Sequence, residues 1–265
     1  MYSSFQLAKK FIHYYLTASN GKGHGIHSPF VYDFIRNVLI DKKDYPCYSP
    51  IEKQRQLLLQ DSTTVEVEDF GAGSAVMKSN KRIIKNIAAS SLKPKKFGQL
   101  LFRIVQYYRP KNILELGASL GITSCYLAKG NEGGKVYTCE GASSIAAIAE
   151  NNFEQLQLKN IELTQGDFAK TLEPLLDKIG TADFAFIDGN HRKDPTVQYF
   201  EQLLQHTHAT SILIFDDIHW SEEMEAAWYI IQQHPSVTLT IDLFFIGLVF
   251  INPDFKIKQH FSIRF

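Results

Sequence analysis

The chain has 265 residues, 45% hydrophobic and 21% charged, with 28 Lys and Arg balanced by 28 Asp and Glu. This is an ordinary globular composition, and zero net charge without a basic block gives no electrostatic support for binding nucleic acid or an anionic membrane. The length suits one α/β domain of common size plus an N-terminal extension. No run of about 18 apolar residues occurs, and Lys9, Lys10 and His13 interrupt the first 16 residues, which do not read as a signal peptide. Cys47, Cys125 and Cys139 show neither metal-ligand spacing nor an even count, so they read as small hydrophobes in a reducing cytoplasm.

Residues 5–16 and 29–39 have helical character and are separated by the glycine-rich stretch 20–25. Pro29, with Ser28 before it, reads as a helix start. A second glycine-rich segment, 67–74, looks like a cofactor turn but lacks a following strand that ends in an acid, so it reads as a surface loop. The polar, proline-broken stretch 90–96 marks a boundary between an N-terminal helical accessory or lid region, 1–92, and a Rossmann-like domain, 93–265. Beyond it, strands are predicted at 112–116, 135–139, 161–165, 184–187 and 211–215. Helices are predicted at 99–108, 122–129, 143–156, 171–178, 196–206 and 222–233. Such alternation implies right-handed crossovers and a doubly wound, mainly parallel sheet. Two last runs, 238–245 and 248–252, join around Gly247 as an antiparallel hairpin at the sheet edge, making seven strands.

Chemistry gathers where these strands end. The run Glu115-Leu116-Gly117-Ala118-Ser119-Leu120-Gly121 turns from the first domain strand into a helix, and glycine there lets a ligand approach the backbone closely. Glu140 ends the second strand about 20 residues on, where an acid can accept both ribose hydroxyls of a nucleoside. A dinucleotide motif would need a middle glycine where Ser119 stands, which disfavours NAD. Asp188 ends the apolar run 184–187, and Asp216 and Asp217 end 212–215, so three carboxylates sit at two strand tips, where oxygen ligands could hold a hard divalent cation. Strand-end acids also cap helices, and His191 could simply hydrogen-bond a loop carbonyl, so both readings stay open.

The segments ELGASLG at 115–121, CEG at 139–141 and GDF at 166–168 resemble the class I S-adenosylmethionine-dependent methyltransferases across residues 97–251, which leaves the N-terminal region uncovered. The resemblance implies S-adenosylmethionine as cofactor. Glu115, Gly117, Ala118, Ser119 and Gly121 would line its methionine part, Glu140 and Gly141 its ribose, and Asp167 and Phe168 its adenine, with Asp188 beside them. The acids at 188, 216 and 217 are similar to the magnesium site of metal-dependent O-methyltransferases of the catechol type, except that Asp217 replaces an amide. That departure, together with His191 three positions after Asp188, resembles the relatives acting on sugars and macrolides, in which this histidine is the general base.

The resulting expectation is a magnesium-dependent O-methyltransferase acting on a small molecule with neighbouring oxygens. The cation would acidify one hydroxyl, and His191, with an unperturbed pKa of about 6.5, would take its proton. Two other classes stay in play: a nucleoside-binding regulatory protein without turnover, and a nicotinamide-dependent oxidoreductase. His219 and Trp220 could line an acceptor pocket or pack on the sheet edge. The edge hairpin offers a surface for a homodimer, and neither nucleic acid nor membrane is expected as a partner.

Overall fold

The computed structural model describes residues 1–67 and 80–265 and shows a mixed α/β fold with a large, mainly parallel sheet flanked by helices. Two compact units make it up: Lys42–Lys178, and Met1–Asp41 together with Ile179–Phe265. No helix among the described residues is long and apolar enough to cross a membrane.

In Lys42–Lys178 the strands β3 (Asn112–Leu116), β4 (Lys135–Glu140) and β5 (Ile161–Gln165) run parallel in that order. Residues 113–116 of β3 are all buried, as expected of a strand covered on both faces. Helices α6 (Ile122–Gly130) and α7 (Ser143–Gln155) are the crossovers. Helix α5 (Lys95–Tyr108) turns Leu100, Leu101, Ile104 and Val105 inward and stops at Arg109, whose left-handed φ of 54° precedes Pro110.

The N-terminal part of this unit holds more structure than the sequence suggested. Helix α3 (Tyr48–Gln60) buries Tyr48, Ile51 and Leu58 in one core with Phe102, Leu120, Tyr126 and Phe153. Each such apolar side chain contributes about 1.5–3 kcal/mol on full burial. Strands β1 (Thr64–Glu66) and β2 (Lys81–Ile83) form an antiparallel pair, and α4 (Ile84–Ser91) follows directly. The glycine-rich segment 67–74 lies, beyond Val67, outside the described residues.

In the other unit β6 (Phe184–Ile187) and β7 (Ile212–Asp216) are parallel and fully buried. The expected hairpin forms between β8 (Leu239–Asp242) and β9 (Ile246–Phe250), but its turn lies at 243–245 and not at Gly247, which is paired within β9, a strand also antiparallel to β7. It is not the outermost element, because an eighth strand beyond the seven expected, β10 (Gln259–Ser262), pairs in parallel with β8. Helices α9 (Lys193–Leu204) and α10 (Glu222–Gln233) follow β6 and β7. Ser28 caps α2 (Pro29–Phe34) by accepting from the Val31 amide, with Pro29 in the first turn. Helix α1 (Ser4–Thr17) starts with a capping box between Ser3 and Gln6 and packs Tyr14 and Phe11 on Phe244.

Candidate active site

In Lys42–Lys178 the glycine-bearing turn is pinned to the end of β4. The amides of Gly117 and Ala118 both donate to the Cys139 carbonyl, at 3.0 and 2.9 Å, and the Gly121 amide donates to Ala118. Glu140 completes the attachment: its Oε2 accepts from the Ser119 amide at 2.9 Å and its Oε1 from the Ala142 amide at 3.0 Å. Four amides of the turn are therefore engaged within the protein, so it offers a ligand close backbone approach more than free donors. Each Glu140 oxygen still has a second lone pair for a hydroxyl donor. Burial raises the Glu140 carboxyl above its ordinary value, against the lowering effect of its amide bonds.

The turn is strained where it bends. Gly117 and Gly121 have φ of 100° and 78°, and Ser119, which is not glycine, has φ 46°. Such a conformation costs on the order of 1–3 kcal/mol and persists only where neighbours hold it. Here Ser119 is held by Glu140 and by a 2.8 Å hydroxyl contact with Ser91, at the end of α4. A Cβ on Gly121 would come within 2.6 Å of the Phe153 ring. Asn152, buried in α7, donates to the Leu120 carbonyl at 2.8 Å and accepts from Gln54 of α3 at 2.7 Å.

Glu115, beneath the turn, is fully buried. Its Oε2 accepts from Ser124 and, at 2.6 Å, from Thr138, whereas Oε1 has no hydrogen-bond partner among the described residues. Burial pushes its carboxyl up to about 7, the two hydroxyls pulling it down and the nearby Glu140 charge adding to the rise. Asp167 accepts from the Ala169 amide at 3.1 Å, opening α8 (Phe168–Ile179), and Asp167, Phe168 and Gly141 all keep partial exposure. A strand-end carboxylate, a tight glycine turn and an orphaned buried acid oxygen fit a nucleoside cofactor carrying hydroxyl and ammonium donors.

In the second unit, the register pairs Ile187 with Phe215, which puts the next residues, Asp188 and Asp216, side by side at the ends of β6 and β7. Asp188, His191 and Asp216 offer ligand atoms within 4.8 Å of one another, and His191 Nε2 lies 3.5 Å from Asp188 Oδ1. Two carboxylates and an imidazole are a donor set suited to a divalent cation. Asp217 is not in that group. Its amide donates to Phe245 O at 2.6 Å, its φ is 52°, and its carbonyl accepts from the Trp220 amide. Asn190, between Asp188 and His191, is likewise left-handed at 60° and donates to the Tyr199 hydroxyl.

Several supporting side chains have no local sequence signal. Thr138 could have been found by aligning the strand ends, because it faces Glu115 directly across the β3–β4 register. Ser124, Ser91 and Asn152 reach their partners from distant helices. His219 has a contact at each nitrogen, to Glu225 and Asp242, and its ring stacks on Phe244 beside the sheet edge.

Residues 114–218 match a family model described as a methyltransferase domain, about two-fifths of the chain and including both clusters. A catechol O-methyltransferase from Niastella koreensis is 28% identical over 124 residues, 46% of this chain, and the chain spans about half (55%) of that relative's length. Two solved structures share the fold. An O-methyltransferase from Bacillus cereus in complex with SAH superposes with a TM-score of 0.53 at 22% identity, covering 83% of this chain and 97% of its own. A SAH-bound methyltransferase from Podospora anserina reaches 0.59 at 12% identity, covering 95% and 97%.

Proposed function

We propose that this chain, whose residues 114–218 form a methyltransferase domain of the class I type, is an S-adenosylmethionine-dependent O-methyltransferase acting on a small molecule with neighbouring oxygens. The observation that carries the reading is the Glu140 carboxylate folded onto the strained 117–121 turn within the matched segment. In this reading Glu140 accepts the ribose hydroxyls, the turn admits the methionine part, Glu115 underlies it, and Asp167 with Phe168 borders the adenine. Asp188 and Asp216, with Asp217 next in sequence, would hold a magnesium ion.

When bound, the donor supplies an electrophilic methyl on a sulfonium and the cation supplies Lewis acidity for an acceptor hydroxyl. His191 would accept the acceptor hydroxyl's proton at a ring nitrogen, leaving the oxygen free to take the methyl group. Holding both reactants in line supplies much of the acceleration. The 4.8 Å grouping of Asp188, His191 and Asp216 favours a second reading of one residue, with His191 as a cation ligand instead of the base.

Calorimetric titration with S-adenosylmethionine and its demethylated product, followed by methyl-transfer assays on polyol and phenol panels with and without magnesium, tests the reading. Binding plus magnesium-dependent turnover is expected. Binding without turnover on any acceptor supports a non-catalytic nucleoside-binding protein, and tighter binding of NAD supports an oxidoreductase. Replacing Glu140 by Ala should weaken the product complex about 10- to 100-fold, the worth of charge-assisted hydrogen bonds. A His191→Asn variant that keeps Mn2+ affinity but loses turnover identifies the base, and one that loses both identifies a ligand.

A further inference from the structure

From the contacts of the N-terminal helix we infer that His219 is a positioning residue, which couples α1 to the turn that follows the cation-binding Asp216. The inference rests on the metal reading above. His219 follows Asp217 by two positions, and its ring is fixed on three sides. Nδ1 lies 3.0 Å from Glu225 Oε1, Nε2 lies 2.8 Å from Asp242 Oδ2, and the ring stacks on Phe244 with centroids 5.1 Å apart and planes 28° from parallel.

Each partner is itself tied down. Asp242 Oδ1 accepts from the Phe244 amide at 2.7 Å, shaping the β8–β9 turn, and Phe245 in that same turn accepts the Asp217 amide. Glu225 receives the Tyr2 hydroxyl at 2.7 Å and the Lys10 ammonium at 2.9 Å, both from the N-terminal segment. The Tyr2 amide donates to the Trp220 carbonyl at 3.1 Å, closing the loop between that segment and the turn 217–220. Phe11 of α1 meets Phe244 edge-on at 5.1 Å.

Two left-handed residues that are not glycine, Asp217 and Phe244, lie within this lattice. A strained backbone needs surroundings that over-determine it. His219 bonds both to Glu225, the carboxylate that anchors α1, and to Asp242, the carboxylate that shapes the neighbouring turn. It therefore acts on the acids through the backbone without contacting the cation, in the way that outer residues orient metal ligands.

The test uses the full chain and follows Mn2+ binding by electron paramagnetic resonance, with demethylated-product affinity and thermal melting measured in parallel. The native protein should bind Mn2+, and Asp216→Asn should abolish that binding. His219→Ala should weaken Mn2+ roughly 10- to 100-fold while product affinity moves less than about twofold, and His219→Gln, which keeps hydrogen-bonding atoms, should recover part of the loss. Tyr2→Phe should weaken Mn2+ in the same direction by a smaller factor. If native protein binds Mn2+ through Asp216 but both His219 variants bind it unchanged, whatever their melting temperatures, the positioning role is overturned and the metal reading stands. If the native protein binds no Mn2+, or Asp216→Asn leaves binding intact, the metal reading fails and takes this inference with it.

Discussion

At the 117–121 turn the carboxylate of Glu140 bonds both oxygens to backbone amides, whereas at the ends of β6 and β7 two carboxylates and an imidazole bring ligand atoms within 4.8 Å of one another. The first arrangement satisfies its charge locally and presents lone pairs to a neutral hydroxyl donor. The second gathers like charges, whose repulsion in a partly buried setting grows as the effective dielectric falls. A polyol group suits the one and a cation the other. Bond-forming character thus follows from how each acid is satisfied, although both occupy the same kind of position, the tip of a buried strand.

The sharpest way to break that contrast is to remove charge from one side only. If the acids hold a catalytic cation as proposed, Asp216→Asn should lower methyl transfer by at least about a thousandfold, since Lewis-acid assistance is worth several kcal/mol. Product affinity measured by calorimetry should stay within about twofold, because Glu140 keeps its own bonds. A parallel collapse of both would show that the two clusters are not separable.

Next in size is a pH effect confined to the cofactor side. Glu115 is raised from 4.5 to about 7, so the folded protein holds a proton there that the unfolded chain releases earlier. The associated stability is fully present below the unfolded value and is lost as pH rises through about 7. The loss is on the order of 3 kcal/mol. Denaturant midpoints across this range should fall more steeply for the native protein than for Glu115→Gln. An equal slope in both would remove Glu115 from the account.

Smaller still is the cost of crowding the turn. Gly121→Ala should lower stability by about 1–2 kcal/mol, through its φ of 78° and the collision with Phe153. Urea denaturation reads the loss, and Mn2+ affinity should not change. A variant as stable as the native protein would mean that α7 yields easily and that the turn is less constrained than its contacts indicate.

The elements most legible in the sequence are those whose burial is continuous. Asn112–Leu116, Phe184–Ile187 and Glu222–Gln233 form as their apolar patterns require. Strand β10 escaped notice because Gln259–Ser262 is short, polar at all but Phe261, and stabilised by a parallel partner rather than by its own pattern. Helix α3 was hidden by its composition: it carries Arg55, buried against Glu52 and the Lys93 carbonyl, where a periodic reading looks for an apolar residue. At the site, strand-end acids stand out because they interrupt hydrophobic runs. Ser91, Ser124 and Asn152 do not, because a hydroxyl or amide in a helix carries no mark of the hydroxyl, acid or carbonyl it will meet.

The path from Gln54 through Asn152 to the Leu120 carbonyl, with Tyr126 donating to Glu52 at 2.7 Å, gives α3 a structural duty toward the glycine turn. A chain severed just before residue 93 would retain the whole segment 114–218 that matches the methyltransferase-domain model and yet lose Tyr48, Ile51 and Leu58 from the core beneath that turn. For this protein, the smallest fragment worth isolating is defined by which helix props the loop, and its upstream limit falls before Tyr48.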